Sequence, residues 1–308
     1  MAPTSKDSFS LERSELVRSF VRRVTGTESA PAATMGALIQ TLRKSAGLKG
    51  RVFSLDPCLK LRKIVEVEYA SSLSYDGVIQ PLGNDYEGGF KLIVKRDSSP
   101  ARVRFTIAHE LCHTFFYEVV PELKFRNHEV DPSEERLCNI GAAELLIPLR
   151  TLKRQAKGMG KSFKSLDTLA TAFRVSSEAM LLRLRTAGLW ESELSVWRLM
   201  TGGNFSLHRM IGGRRVEWEW SESHLLRDAW DTRRTLSGST YMAYRDQDGG
   251  LRLRAVSYEL KRRGDTLLAL WGRPSSFRPR PSMPLFEQTT SLDVHSFSVA
   301  EPDRSGIP

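Results

Sequence analysis

The chain has 308 residues, of which 40% are hydrophobic, and it carries a formal net charge of +10 at pH 7. This length allows two or three domains with cores of their own, and its three cysteines are too few for a disulfide-stabilised scaffold. Residues 1–10 lack the apolar core of a signal peptide, and no apolar run reaches the roughly 20 residues of a membrane span. We therefore expect a cytoplasmic protein without a membrane partner. The positive charge alone does not separate nucleic-acid binding from an acidic partner or simple solubility.

The first segment, residues 1–50, is predicted to be an N-terminal helical extension. Apolar side chains recur there at the spacing of a helix that buries one face, namely Val17, Phe20, Val21 and Val24. Small residues follow. A second helix is expected from Met35 to Leu48, closed near Gly47 or Gly50.

From Arg51 onward the sequence changes to the two-residue alternation of β-strands. One strand is predicted at residues 64–69, and a second follows the turn at Asp76 and Gly77. A third strand, residues 90–95, leads to a helix that begins with an N-cap serine and a proline at the first helical position. Strands followed by helices indicate an α+β fold.

This helix contains His109 and His113 in the pattern His-Glu-x-x-His, with Glu110 between them. Residues four apart lie on the same face of a helix, so the two histidines can bind one metal ion together. Glu110 lies about 100° further around the helix, within reach of a water molecule on that metal. Zinc lowers the pKa of a bound water to roughly 7, so Glu110 can remove its proton as a general base.

A catalytic zinc needs a third protein ligand, and the best candidate lies on a second helix that is predicted from Asp131 onward. Asp131 is the expected N-cap, and Glu134 falls at the capping-box position, where its carboxylate can reach back to the Asp131 amide. Glu135 is then the freer carboxylate and the predicted ligand, with Glu134 as the substitute. Asn139, one turn later, could orient the Glu135 carboxylate. Cys138 offers a thiolate as another ligand, although free cysteine is often only a small buried residue.

The two motifs together resemble the ImmA/IrrE family of metallopeptidases. The usual pattern of this family is R-F-T-x-A-H-E-x-G-H followed by E-x-x-A-N-x-F-A-x-x-L-L-x-P, and the likeness extends roughly from Arg51 to Trp190. The resemblance implies a zincin-like metallopeptidase domain at residues 51–160, with a small antiparallel sheet and the active-site helices. It also implies a metal held by two histidines and a glutamate, and cleavage of a DNA-binding repressor. In zincin-type peptidases an edge strand commonly receives the substrate backbone, and residues 90–95 are expected near that edge.

The chain departs from the family pattern at three positions. Cys112 stands where the family has glycine, and Cys138 stands where it has alanine. Both side chains are small, so the two helices can still pack closely. Gly141 replaces a phenylalanine, and another side chain must fill the space that this leaves.

Further segments follow the peptidase motifs. Residues 161–192 are predicted to form a helix-turn-helix-like segment with its turn at Arg174 to Ser176, and a similar stretch follows the motifs in the ImmA/IrrE family. The second helix begins with few basic or amide side chains, so direct DNA reading is the weaker expectation. Residues 196–275 are predicted to form a β-rich α+β C-terminal domain, sensory or regulatory by analogy with relatives. Residues 276–308 are predicted to be a partly disordered tail.

We therefore predict a metal-dependent endopeptidase that cleaves a transcriptional repressor at one site and relieves repression in a stress-response or mobile-element circuit. His109, His113 and Glu135 are the expected metal ligands, and Glu110 is the expected catalytic base. Zinc is the expected ion, although manganese and iron accept the same donors. The alternative hypothesis is a non-proteolytic regulator that binds its repressor, or DNA, through the helix-turn-helix-like segment.

Overall fold

The structure, a computed structural model, describes residues 14–83, 87–119, 131–212, 224–245 and 251–272. In the N-terminal part, helices surround a small sheet, and the elements are α1 (Glu15–Thr25), α2 (Pro31–Ser45), α3 (Asp56–Leu61), β1 (Ile64–Ala70), β2 (Gly77–Pro81), β3 (Phe90–Lys95), α4 (Pro100–Val119), α5 (Pro132–Leu146), α6 (Leu149–Ala156), α7 (Phe163–Phe173) and α8 (Ser177–Thr186). The C-terminal part is mostly strands, and its elements are β4 (Glu193–Leu199), β5 (Phe205–Ile211), α9 (His224–Thr232), β6 (Leu236–Arg245), β7 (Leu251–Arg263) and β8 (Thr266–Gly272). This is the predicted α+β class. Among the described helices, none combines the length and apolarity that a membrane span requires.

The first sheet is mixed, so the expectation of an antiparallel sheet is wrong. Its strand order is β1-β3-β2, with β1 parallel and β2 antiparallel to β3. Strand β3, residues 90–95, is the central strand and not near an edge. Its Phe90, Leu92 and Val94 are buried, whereas β1 exposes residues on both faces. The alternation in the sequence is compatible with either direction of pairing, because the connections decide the direction.

Helices α1 and α2 pack into the same hydrophobic core as α4 and α5. Phe20 of α1 stacks on Phe116 of α4, with 4.2 Å between the ring centroids. Met35 of α2 lies against Gly141 of α5: a Cβ on this glycine would come within 3.1 Å of the Met35 sulfur and 2.7 Å of the Cys112 sulfur. These two sulfur-containing side chains therefore occupy the space that the family's phenylalanine would fill. The N-terminal helices thus complete the core around the two motif helices.

Helices α7 and α8 form the pair that the helix-turn-helix-like pattern predicts. Arg174 ends α7 in the left-handed conformation, with φ 56°. The Ser176 side chain then caps α8 by accepting a hydrogen bond from the Ala179 amide. The description of this pair as a DNA-binding motif stays a prediction.

The C-terminal sheet is antiparallel and has five strands in the order β5-β4-β8-β7-β6. Helix α9 packs on it over a second hydrophobic cluster. Within this cluster, Ser195 Oγ accepts hydrogen bonds from the indole N–H groups of Trp197 and Trp271, at 2.8 and 2.7 Å. The sensory role and the domain boundaries stay predictions. The predicted tail, residues 276–308, lies outside the described residues.

Met35→Ala is expected to destabilise the protein by about 2–5 kcal/mol, because it leaves a cavity between α2, α4 and α5. The matched control is Gly36→Ala on the same helix, where a Cβ meets nothing within 4 Å and alanine favours the helix by about 1 kcal/mol. Urea unfolding of both variants measures the free energy of unfolding. A Met35→Ala protein as stable as wild type would contradict the shared core.

Candidate metal centre

Helix α4 presents His109 and His113 on one face because they are four residues apart. Other faces of the same helix are fixed in the core, where Leu111 is fully buried. Both histidine side chains are only 12% exposed, so they lie in a recess and not on a solvated surface. Helix α5, which has Asp131 as its N-cap as predicted, brings the carboxylate of Glu135 against them.

His109, His113 and Glu135 point at a common centre. The two Nε2 atoms are 3.2 Å apart, and the Glu135 oxygens lie 3.1 Å from that of His109 and 3.2 Å from that of His113. In a tetrahedral zinc site with bonds of about 2.0–2.1 Å, neighbouring ligand atoms are about 3.3 Å apart. Among the described residues, these three form the group of side chains that could hold a metal ion. Hydrogen bonds with His109 and His113 lower the pKa of Glu135, so its carboxyl group is ionised, as a metal ligand must be.

The outer ring nitrogens of both histidines contact side chains of α5. His113 Nδ1 lies 2.8 Å from Glu134 Oε1, and His109 Nδ1 lies 3.1 Å from Asn139 Oδ1. With a metal at the centre, a proton on each Nδ1 would satisfy these oxygen acceptors and leave the Nε2 lone pairs to hold the ion. The sequence interpretation is corrected in two respects: Asn139 orients His109 and not Glu135, and Glu134 contacts His113, which the capping-box interpretation did not include.

The two cysteines near the site are placed as packing residues. Cys112 Sγ contacts the Ala108 carbonyl oxygen at 3.2 Å within α4. Cys138 is fully buried beside His113. Burial raises the pKa of Cys138 to about 11, as expected for a packed, unreactive thiol. Neither Cys138 nor the substitute candidate Glu134 belongs to the converging group.

Glu110 lies beside the converging donors and is only 8% exposed. Burial raises the pKa of its carboxyl group, and the two neighbouring histidines partly oppose this change. The backbone N–H of Ile79 in β2 donates a hydrogen bond to this carboxylate. Gly77, on the same strand, packs so closely that a Cβ there would overlap the Thr106 Cγ2 methyl and lie 3.3 Å from Glu110 Cγ. Strand β2 therefore fixes the position of Glu110.

Known proteins resemble the segment that contains this site. Residues 77–185 match the family model described as IrrE N-terminal-like domain. The radiation response metalloprotease IrrE of Deinococcus deserti is 30% identical over 103 residues, which are 31% of this chain and 37% of the relative. The protein of the same name from Deinococcus radiodurans is 25% identical over 114 residues, which are 35% and 33% of the two chains. The matched segments thus span about a third of the length of these curated relatives.

One solved structure, a Mycobacterium tuberculosis transcriptional regulator, aligns with 83% of this chain and 79% of its own length. Its sequence identity is 16% and its TM-score is 0.46, so it carries no conclusion about fold or function. The family match has more weight, because residues 77–185 contain the converging His109, His113 and Glu135. Residues 77–185 are therefore similar to the IrrE N-terminal-like domain of metallopeptidases, a likeness that covers about a third of the chain.

Proposed function

We propose that the protein is a metal-dependent endopeptidase. The observation that carries this proposal is the convergence of the His109, His113 and Glu135 donor atoms at 3.1–3.2 Å from one another, beside the buried carboxylate of Glu110. A structural zinc site is closed by four protein ligands, whereas a catalytic site has three and keeps one position open for water or substrate. The three converging donors among the described residues, with an adjacent carboxylate, match the catalytic arrangement.

Zinc is the ion that this donor set suits best, because two imidazoles and one carboxylate stand at tetrahedral spacing. Manganese and iron accept the same donors. When bound, the ion supplies Lewis acidity, which acidifies a water molecule and polarises the scissile carbonyl group. Glu134 and Asn139 hold the two imidazole rings in the orientation that this chemistry needs, through the Nδ1 atoms.

Glu110 is proposed to move the proton. Its carboxylate takes a proton from the attacking water and later delivers it to the nitrogen of the leaving amine. A pKa raised by burial suits this role, because a more basic carboxylate takes the proton from water more readily. The hydrogen bond from the Ile79 amide keeps the carboxylate aimed in one direction during both transfers.

Strand β2 is the edge that we propose for the substrate backbone. It pairs with β3 on one side, and on its other side it has no partner strand among the described residues. Its residues Gly77 and Ile79 contact Glu110 directly. An extended peptide that adds to this edge runs past the catalytic carboxylate. Strand β2 replaces residues 90–95 as the proposed substrate-binding strand, because residues 90–95 form the central strand of the sheet.

The proposed substrate is a DNA-binding transcriptional repressor in the cytoplasm, and its cleavage relieves repression in a stress-response or mobile-element circuit. The family resemblance supports this substrate, as do two relatives named radiation response metalloproteases. The alternative, a regulator that reads DNA through α8, has less support. Ser177 Oγ donates to Asp167 at 2.8 Å, and Glu178 pairs with Arg209. Carboxylates at the start of α8 oppose the approach of phosphate groups.

Protein purified without added metal is expected to hold about one zinc ion per wild-type chain, and Glu135→Ala is expected to hold much less, because it removes one of three ligands. Glu134→Gln keeps the size of the group beside His113 but removes its charge, so metal affinity should fall about 10–100-fold. Mass spectrometry of metal content and chelator competition measure these values.

The matched control is Glu118→Gln, since this carboxylate pairs with Arg62 and is 62% exposed. It should leave metal binding unchanged. Full occupancy in Glu135→Ala would exclude this residue as a ligand. A wild type that stays empty when zinc, manganese and iron are offered would remove the peptidase proposal.

Glu110→Gln is expected to bind metal as wild type does and to cleave the repressor about 10²–10⁴-fold more slowly, because the general base is lost. Sequencing of new protein N-termini, in cells that produce either protein, should show a cleavage site within a repressor for wild type and not for the variant. The purified repressor then gives the rates. Equal rates would remove Glu110 from the mechanism.

Gly77→Ala should lower the cleavage rate without removing the metal, because its methyl group overlaps Thr106 Cγ2 and pushes β2 away from Glu110. Thr106→Ser deletes that methyl group and keeps the hydroxyl group. The double variant should therefore recover much of the lost rate, which a double-mutant cycle measures. Additive losses in the double variant would show that the contact between β2 and α4 does not set the rate.

A further inference from the structure

Three arginines surround an exposed phenylalanine in the segment between α2 and α3. Phe53 is 58% exposed. The guanidinium carbons of Arg51 and Arg174 lie 5.6 and 5.3 Å from its ring centroid, within the range of a cation–π contact. Arg104 and Arg174 both donate to the Phe53 carbonyl oxygen, each at 3.3 Å. We refer to Phe53, Arg51, Arg104 and Arg174 as the arginine–phenylalanine surface.

None of these arginines has a carboxylate partner among the residues that the structure describes. Other exposed arginines do, as Arg18 does with Glu15. Asp56 is the nearest acid along the chain, and its carboxylate accepts a hydrogen bond from Ser54. The positive charge of the surface is therefore not neutralised from within the described part of the chain.

The guanidinium groups also repel one another. Burial lowers the pKa of Arg104, and the nearby charge of Arg174 lowers it further. The Nε atom of Arg104 is buried and has no hydrogen-bond acceptor among the described residues. Like charges held together in this way gain stability when an anion approaches them.

Arg174 occupies a backbone conformation that favours glycine. It ends α7 at φ 56°, and the left-handed region is strained for residues with a side chain. Glycine takes this conformation at Gly26 after α1, with φ 70°, and at Gly188 after α8, with φ 67°. Lys63 and Arg233 take it with a side chain, as Arg174 does. Backbone stability therefore does not account for an arginine here. A glycine at this position would remove the guanidinium group from the surface.

The surface is separate from the metal centre. At 100° per residue, Arg104 lies about 180° around α4 from His113 and about 140° from His109. Arg174 reaches the surface from the turn between α7 and α8. A ligand can therefore bind at Phe53 without contacting the metal ligands, and the inference does not rest on the proposed peptidase activity.

We propose that the arginine–phenylalanine surface docks an acidic segment of a protein partner, in which carboxylates lie next to an apolar side chain. A guanidinium group has five N–H donors and a planar fork that matches a carboxylate, and Arg51 and Arg174 each use one terminal nitrogen on a backbone carbonyl oxygen. The Phe53 ring supplies apolar contact, and arginine with aromatic residues is the composition of energetically important interface positions. A nucleic-acid strand fits less well, because it needs a series of stacking rings along a basic groove, and Phe53 offers a single ring.

Fluorescence anisotropy with a labelled peptide tests this proposal on the full chain. The probe is fluorescein-labelled Ser-Gly-Asp-Glu-Phe-Glu-Asp-Gly-Ser, and the comparison probes are the same peptide with lysine at each acidic position and a short labelled single-stranded DNA. Wild type should bind the acidic peptide, less tightly as salt increases, and should not bind the lysine peptide. The measurement requires no proteolysis, so its outcome is independent of the proposed activity.

Arg174→Gly removes one guanidinium group and relieves the left-handed backbone, so this variant should remain folded. Phe53→Ala removes an exposed ring. Each should weaken binding of the acidic peptide about tenfold or more, while Arg18→Ala, which removes an arginine already paired with a carboxylate, should leave it unchanged. Three results would each overturn the proposal: equal binding by wild type and Arg174→Gly, no binding of the acidic peptide by wild type, or tighter binding of DNA that the same variants abolish.

Discussion

The closeness of three electron-pair donors is the constraint on which the rest of the structure depends. His109 Nε2 and His113 Nε2 are 3.2 Å apart, and the Glu135 oxygens are no further from either. A cation at their centre would attract the lone pairs of all three donors at once. The histidines belong to α4 and the carboxylate to α5. The fold must therefore hold these two helices at one register to within a fraction of an ångström.

Small residues at the contact between α4 and α5 maintain that register. Cys112 and Gly141 face each other across it, and Met35 of α2 fills the remaining space. Relative to the ImmA/IrrE pattern, α4 gains volume where cysteine replaces a glycine, and α5 loses volume where glycine replaces a phenylalanine. Exchanges that conserve volume are the ones a core tolerates best. Helix α2 therefore helps to keep the proposed metal ligands at their distances.

Features that depend on neighbours in sequence could be predicted, and features that depend on neighbours in space could not. The spacing of His109 and His113 and the N-cap at Asp131 are local, and the structure contains both helices where they are expected. Asn139 is assigned to the wrong partner by sequence reasoning, and the contact of Glu134 is missed, because both partners lie on the other helix. The strand order β1-β3-β2 could not be predicted for the same reason. The alternation of apolar and polar residues shows which face of a strand is buried, but not which strand pairs with it.

The net charge of +10 can be interpreted only when individual arginines are followed. Arg43 donates to the Leu145 carbonyl oxygen at 2.7 Å, and Arg183 donates to that of Ile147 at 3.0 Å. These guanidinium groups donate to carbonyl oxygens at the C-terminal end of α5, which have no partner within the helix. Their contribution to the net charge therefore reflects a structural role. The arginines at Phe53 also donate to backbone carbonyl oxygens, but they gather there without a carboxylate in the described part of the chain, and Arg174 strains its own backbone. The net charge includes both groups of arginines equally, so the class of partner has to be argued from the arginines at Phe53.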